Sequence, residues 1–165
     1  EYPNLELLLT NMWETMYEAN GVGIAAPQIN KSIRLFLIDT TPFLDEEDKE
    51  FSLVAIKKVF INPKIIKRSK EECHFNEGCL SIPEVREDII RKSSITIEYF
   101  DENFIKHSEN FDGITARVIQ HEYDHINGIL FTDMVSPLRK RMIKSKLIEI
   151  SKGKVKANYK MINLS

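Results

Sequence analysis

A chain of 165 residues with 42% hydrophobic and 29% charged side chains suits one domain built on a single core, residues 1–165. Twenty-three basic against 25 acidic residues leave no broad positive footprint, which argues against direct sequence-specific nucleic-acid binding. There is no apolar run of about eighteen residues and no cleavable secretory pattern, so no membrane role is expected.

The first segment places Leu5, Leu8, Leu9, Met12, Met16 and Ala19 on one helical stripe that ends at Asn20-Gly21, with Trp13 and Tyr17 extending the packed face. Gly21 to Ile29 follows, a run of small residues interrupted by Pro27 and containing the lone amide of Gln28. Glycines let a backbone pass tightly against a ligand or another segment, but on composition alone this loop is a tight connector. Ile33 to Asp39 is apolar at nearly every position and predicts a strand covered on both faces. Thr40 to Glu50, with Pro42 and the acidic run Asp45-Glu46-Glu47-Asp48, reads as a solvated loop. Leu53 to Asn62 and Ile65 to Cys73 predict two strands around Pro63.

In Asn76 to Pro83, Cys79 follows a glycine and precedes an extended Leu-Ser-Ile-Pro segment, since the residue before proline is biased toward the β region. From Val85 to Phe111 the pattern is antiparallel, with Ile95, Ile97 and Tyr99 alternating with Thr96 and Glu98 before a turn at Asp101-Glu102-Asn103. Ile114, Val118, His121, Glu122 and His125 then share one stripe of a helix, with Asp112 placed to cap its start and Asn127-Gly128 to stop it. Ile129-Leu130-Phe131 reads as a short strand. Ser136-Pro137 opens a final helix along which Leu138, Met142, Leu147 and Ile150 are spaced. The layout is α+β: antiparallel or mixed sheets packed around a central helix, with one helix at the N-terminal and one at the C-terminal end.

That central helix carries the chemistry. A lone histidine on a buried face is ordinary core, but His121 and His125 lie one turn apart and enclose Glu122, so both imidazoles reach one metal ion while the carboxylate stands ready to move a proton. This is the H-E-x-x-H pattern of metal-dependent hydrolases. A catalytic site of this kind takes three protein ligands and keeps one position open. Three sources for the remainder stay open: Cys79, otherwise a small buried hydrophobe; a downstream acid such as Glu149, as in an H-E-x-x-H metallopeptidase; or Cys73 with Cys79, closing a structural Cys2His2 zinc site.

Two cysteines fit a reducing cytoplasm, although they could close one disulfide. The chain opens at Glu1 without an initiator methionine, so an upstream piece with any targeting segment can be missing, and an organellar home stays open beside a bacterial one. Arg139, Lys140, Arg141, Lys144, Lys146, Lys152, Lys154 and Lys156 make the C-terminal third locally basic. That stretch could meet an anionic surface, and a solvated helix face followed by a polar tail is the simpler account.

Three stretches in order, Gly21-Val22-Gly23-Ile24-Ala25-Ala26-Pro27-Gln28, Glu77-Gly78-Cys79-Leu80-Ser81 and Gln120-His121-Glu122-Tyr123-Asp124-His125, resemble the signatures of the peptide deformylase family. The resemblance spans about residues 5 to 135; the family's usual N-terminal segment is missing, a glycine often found after the first signature is Asn30 here, and 152–165 falls in a variable tail. It implies removal of the formyl group from the initiator methionine of nascent chains, so the partners are N-formylmethionyl peptides. It implies one divalent metal ion held by Cys79, His121 and His125, with Fe2+ typical and Zn2+, Ni2+ or Co2+ able to replace it. Water activated by that ion would attack the formyl carbon, with Glu122 as general base and acid, and Gln28 and the Leu80 N–H stabilising the oxyanion. Val22, Gly23 and Val118, together with His121, would surround the methionine side chain, Glu77 would contribute to substrate binding, and Arg86 would lie near the peptide's exit path.

Overall fold

The structure, a computed structural model, describes residues 2–45 and 55–162. Its backbone is a five-stranded antiparallel sheet and a separate two-stranded one, with a helix touching both. Helix α1 (Leu5–Glu18) is followed by strand β1 (Gly23–Ala25), a 3-10 turn (Ala26–Ile29), and strands β2 (Leu35–Asp39) and β3 (Lys57–Arg68). The smaller sheet is the hairpin of β4 (Glu72–Cys79) and β5 (Ile82–Lys92); β6 (Ser94–Phe100) and β7 (Lys106–Asp112) return to the larger one, which runs β1-β2-β3-β6-β7. Helix α2 (Gly113–His125) comes next, and α3 (Pro137–Ser151) ends the regular structure. Among the described residues every strand pair is antiparallel, and no mixed sheet occurs.

Side chains alternate across a strand, and β2 shows the result. Phe36 and Ile38 enter a core with Phe60, Ile97, Tyr99, Ala116 and Ile119, beneath α2, while Leu35 and Leu37 meet Leu8, Leu9, Met12 and Met16 of α1 on the other side. A strand sandwiched between two helices has no polar face, which is why its sequence shows none. The α1 stripe ends as expected, with Asn20 in the left-handed region at φ 54° and the Gly21 N–H donating to Met16 O at 2.8 Å.

Four expectations are corrected. Leu53–Asn62 and Ile65–Cys73 are not two strands around Pro63: β3 runs through the proline to Arg68. A register shift between Ile61 and Lys64, with Asn62 at φ 49°, accommodates the missing N–H at Pro63, and Cys73 belongs to the other sheet. Ile129–Phe131 is no strand; Phe131 opens a 3-10 turn and its buried ring lies 6.1 Å from the His121 ring, nearly parallel to it. On α3, Leu138 and Met142 are 70% and 60% exposed, whereas Ile143, Leu147 and Ile150 pack against Ile82, Val85, Ile89 and Phe131. At 100° per residue the two sets lie roughly 80–180° apart around the helix, so the predicted stripe merged two faces. Thr41–Asp45 forms a 3-10 turn where a loop was expected, and the acidic residues Glu46 to Asp48 lie outside the described residues.

Candidate metal centre

Cys79, His121 and His125 come from two elements that meet. Asp112 occupies the N-cap of α2 in extended geometry but makes no side-chain capping bond, and the Gly113 N–H donates instead to Ser93 O at 3.0 Å. The helix presents Ile114, Val118, Glu122 and His125 to the interior. Cys79 stands at the end of β4, where the hairpin slips register between Gly78 and Cys79 before the two-residue tip Leu80-Ser81. The Cys79 Sγ lies 3.2 Å from His125 Nε2, and one ligand atom from each of Cys79, His121 and His125 falls within 4.8 Å of the others. Both cysteines are free, and the Cys73 Sγ accepts from Arg117 Nη2 at 3.1 Å, so the Cys2His2 arrangement does not form. Among the described residues, Glu149 is likewise outside the cluster.

Glu77 explains the orientation of His121. Its Oε2 is 3.0 Å from His121 Nδ1, which fixes that ring and leaves Nε2 as the nitrogen that can bind a metal. The same buried carboxylate accepts from Arg91 Nε at 2.7 Å and Nη2 at 3.0 Å, and from Arg117 Nη1 at 2.5 Å. Burial alone would raise its pKa; hydrogen bonds from His121 and Arg91 override that and hold it at about 2. Arg91 also donates to Asp124 Oδ2 at 2.7 Å, tying β5 to the helix from the solvent side of the motif. Glu77 borders the cavity, and both of its oxygens are committed, to His121 and to the two arginines.

Glu122 is different. Its Oε2 is fully buried and, among the described residues, has no hydrogen-bond partner. Burial pushes its pKa up to about 7, against the opposing charges of His121 and Arg91. Burial also works against a charge on His121, yet hydrogen bonds to Cys79 and Glu77 raise it to about 10, while burial and the neighbouring His121 and Arg91 charges press His125 down to about 3. One thiol, two oriented imidazoles and an orphaned carboxylate oxygen fit a thiophilic divalent ion with a proton acceptor next to it.

The Gly-rich loop is more than a connector. A Cβ at Gly23 would sit 2.5 Å from Glu122 Oε1, and one at Gly21 would sit 2.7 Å from Leu80 Cδ1. Gln28 is anchored through Oε1, which accepts from the Ala25 N–H at 2.8 Å; its Nε2 faces Ser81 Oγ at 3.1 Å and Cys79 Sγ at 3.7 Å. Asn30, in place of glycine, takes the left-handed conformation at φ 59° that ends this turn, so the departure is absorbed by a residue that tolerates it. A cavity of about 740 Å³ opens over these groups and is bordered by Val22, Gly23, Leu80, Arg86, Val118 and His121. Arg86 is pinned there by Asn76, whose Oδ1 it meets at 2.9 Å.

Motif spacing does not single out Arg91, Arg117 or Asp124 in the sequence. The available signal was a charge at a core-facing position, Arg91 in the alternation after Ile89 and Arg117 beside Val118, where burial demands a partner.

Two imidazoles and an unpaired acid on one helix, faced by a thiol across an open cavity, place the chain in the class of metal-dependent hydrolases. The Polypeptide deformylase family model matches residues 2–141. A peptide deformylase of Christiangramia forsetii is 59% identical over 98% of this chain and 84% of its own length, and one of Flavobacterium johnsoniae is 56% identical over the same shares. A crystal structure of peptide deformylase from Plasmodium falciparum superposes with a TM-score of 0.79 at 34% identity, covering 91% of this chain and 83% of the other. The chain belongs to the peptide deformylase family, a family of metal-dependent enzymes.

Proposed function

We propose that residues 1–165 act as one catalytic unit that hydrolyses the N-formyl group from the initiator methionine of nascent polypeptides, giving formate and a free amino terminus. The observation that carries this reading is the buried Glu122 carboxylate, unpartnered at Oε2 and held near neutrality beside three converging metal donors. Cys79, His121 and His125 would hold the ion, which when bound supplies Lewis acidity and a nucleophilic water at neutral pH. The thiolate is a soft ligand that suits ferrous iron, with zinc, nickel or cobalt as substitutes, and makes the site sensitive to oxidation.

The chain's own groups do the rest. Glu122 accepts the proton of the attacking water at its free oxygen and delivers it to the leaving amine. Gln28 Nε2 and the Leu80 N–H meet the charge that develops on the formyl oxygen; one such donor is worth about 2.7–4 kcal/mol of barrier. Val22, Gly23 and Val118 form the wall against which the methionine side chain packs, and Arg86 borders the path of the following residues. Glu77 orients His121. The exposed Lys140, Arg141 and Lys144 of α3 give a face that can dock on the ribosome in a bacterial cytoplasm, where formylated chains emerge.

Formate release from a formyl-Met peptide tests this, with wild type and Glu122→Gln loaded without oxygen with iron or zinc to matched content. Iron-loaded wild type should turn over fastest, and Glu122→Gln should lose about 10²–10⁴-fold while keeping its metal. Equal rates for wild type and variant would remove Glu122 from the mechanism; equal rates for the two metals would remove the preference for iron.

A further inference from the structure

Beyond α3 the chain turns back toward the cavity. Gly153, at φ 68°, donates its N–H to Ile150 O at 2.9 Å, and Lys154 donates to Glu149 O at 2.9 Å, a cap that reverses the backbone. Val155 then packs against the cluster of Ile82, Val85 and Phe131. Lys156, Ala157, Asn158 and Tyr159 border the same cavity as Gly23, Cys79 and His121. The Tyr159 hydroxyl donates to Leu80 O at 2.6 Å.

Leu80 lies where outside support matters. Leu80-Ser81 is the whole tip of the β4–β5 hairpin, since Cys79 pairs with Ile82, and the ladder slips one step earlier. A two-residue tip beyond a register shift is weakly fixed by its own sheet. Side chains from elsewhere hold it on two sides: Gln28 Nε2 on Ser81 Oγ, and Tyr159 on the Leu80 carbonyl. The same residue, Leu80, carries the N–H assigned above to the formyl oxygen.

We propose that Lys156–Tyr159 is a working wall of the catalytic cavity and that Tyr159 is a positioning residue, clamping the hairpin tip so that the Leu80 N–H is aimed at the reacting oxygen. This rests on the deformylase reading of the site. Tyr159 touches neither substrate nor metal in this role; it acts through the Leu80 peptide units. Preorganised donors are effective because their orientation is settled before the reaction, and the phenol supplies that orientation from a segment outside both sheets.

The test uses full-length protein loaded to matched metal content, comparing wild type, Tyr159→Phe and Tyr17→Phe. The last removes a hydroxyl that donates to Asp39 Oδ2 at 2.6 Å outside the cavity, so it reports the general effect of losing a tyrosine hydrogen bond. Tyr159→Phe should lower kcat for a formyl-Met dipeptide about fivefold, the worth of one ordinary hydrogen bond, with KM changed by less than about twofold. Amide exchange at residues 80–82 should quicken in this variant alone. Tyr17→Phe should lose stability and keep wild-type kcat. An unchanged kcat in Tyr159→Phe overturns the inference. Should wild type release no formate, the reading of the site falls, and exchange alone decides the clamp: unchanged rates at 80–82 overturn it, faster rates uphold it.

Discussion

Gly23 and Glu122 set each other's limits. The carboxylate can approach the β1 loop closely because position 23 lacks a side chain, and a methyl group there would meet Oε1 at 2.5 Å. Gly23→Ala should therefore fold and load metal normally but lose more than about tenfold in formate release, since a displaced general base is no longer within reach of its proton. Metal content that fell with activity would show the fault lies in the ligands instead. Glu122 also leaves a thermodynamic signature in the metal-free protein. Burial pushes its carboxyl up to about 7 in the folded state, above its ordinary 4.5, so the folded state binds the proton more tightly than the unfolded chain does. This group's penalty is absent below about 4.5 and grows as pH rises toward 7. Metal-free Glu122→Gln should consequently melt above metal-free wild type at pH 8, by something on the order of 2–3 kcal/mol, and show no such gain at pH 4. Thermal melts at the two pH values check the sign.

Elements differ in how openly their sequences declare them. On α3, Ile150 is buried against the β5 face while Leu138 is 70% exposed, although the spacing puts both on one stripe. Ile150→Ala should cost about 2–5 kcal/mol and Leu138→Ala within about 0.5 kcal/mol, measured by denaturant unfolding. Comparable losses would mean that Leu138 is covered after all. Strand β2 was legible because two helices strip it of any polar face, and α2 because its histidines and apolar residues share one period. Periodicity failed where the face was set from outside the segment. The buried Phe131 ring beside His121 opens a 3-10 turn where the apolar run suggests a strand, and the register shift at Asn62 accommodates Pro63 within β3. The partnership of Cys79 with the helix was legible through the family signatures; spacing alone left Cys73 and Glu149 in contention. What decides against Cys73 is Arg117, a buried cation that takes both its sulfur and its carbonyl oxygen.

Across the whole molecule, the five-stranded sheet and the hairpin both pack on α2, and the last helix packs on the hairpin strand β5. The hairpin is joined to α2 by the Glu77–Arg91–Asp124 network and by Arg117, a buried set whose charges are all paired. The tail that follows α3 closes a further side of the cavity through Tyr159. The family model ends at residue 141 and therefore leaves most of α3 and all of this tail outside its match.

One consequence follows from where the three donors originate. A thiol delivered by a hairpin and two imidazoles delivered by a helix are separated by 42 and 46 positions along the chain, so an ion bridging them rivets two parts of the structure that share no backbone ladder. A chelated sample should melt several degrees lower, because ligand at about 100 times its dissociation constant adds about 2.7 kcal/mol to the folded state. Cys79→Ser, with its weakened grip, should show a smaller drop on chelation, and an identical drop would mean that the sulfur holds nothing. Heat resistance in this enzyme would then track its metal loading, making a melting curve a gauge of how much of a preparation carries its ion.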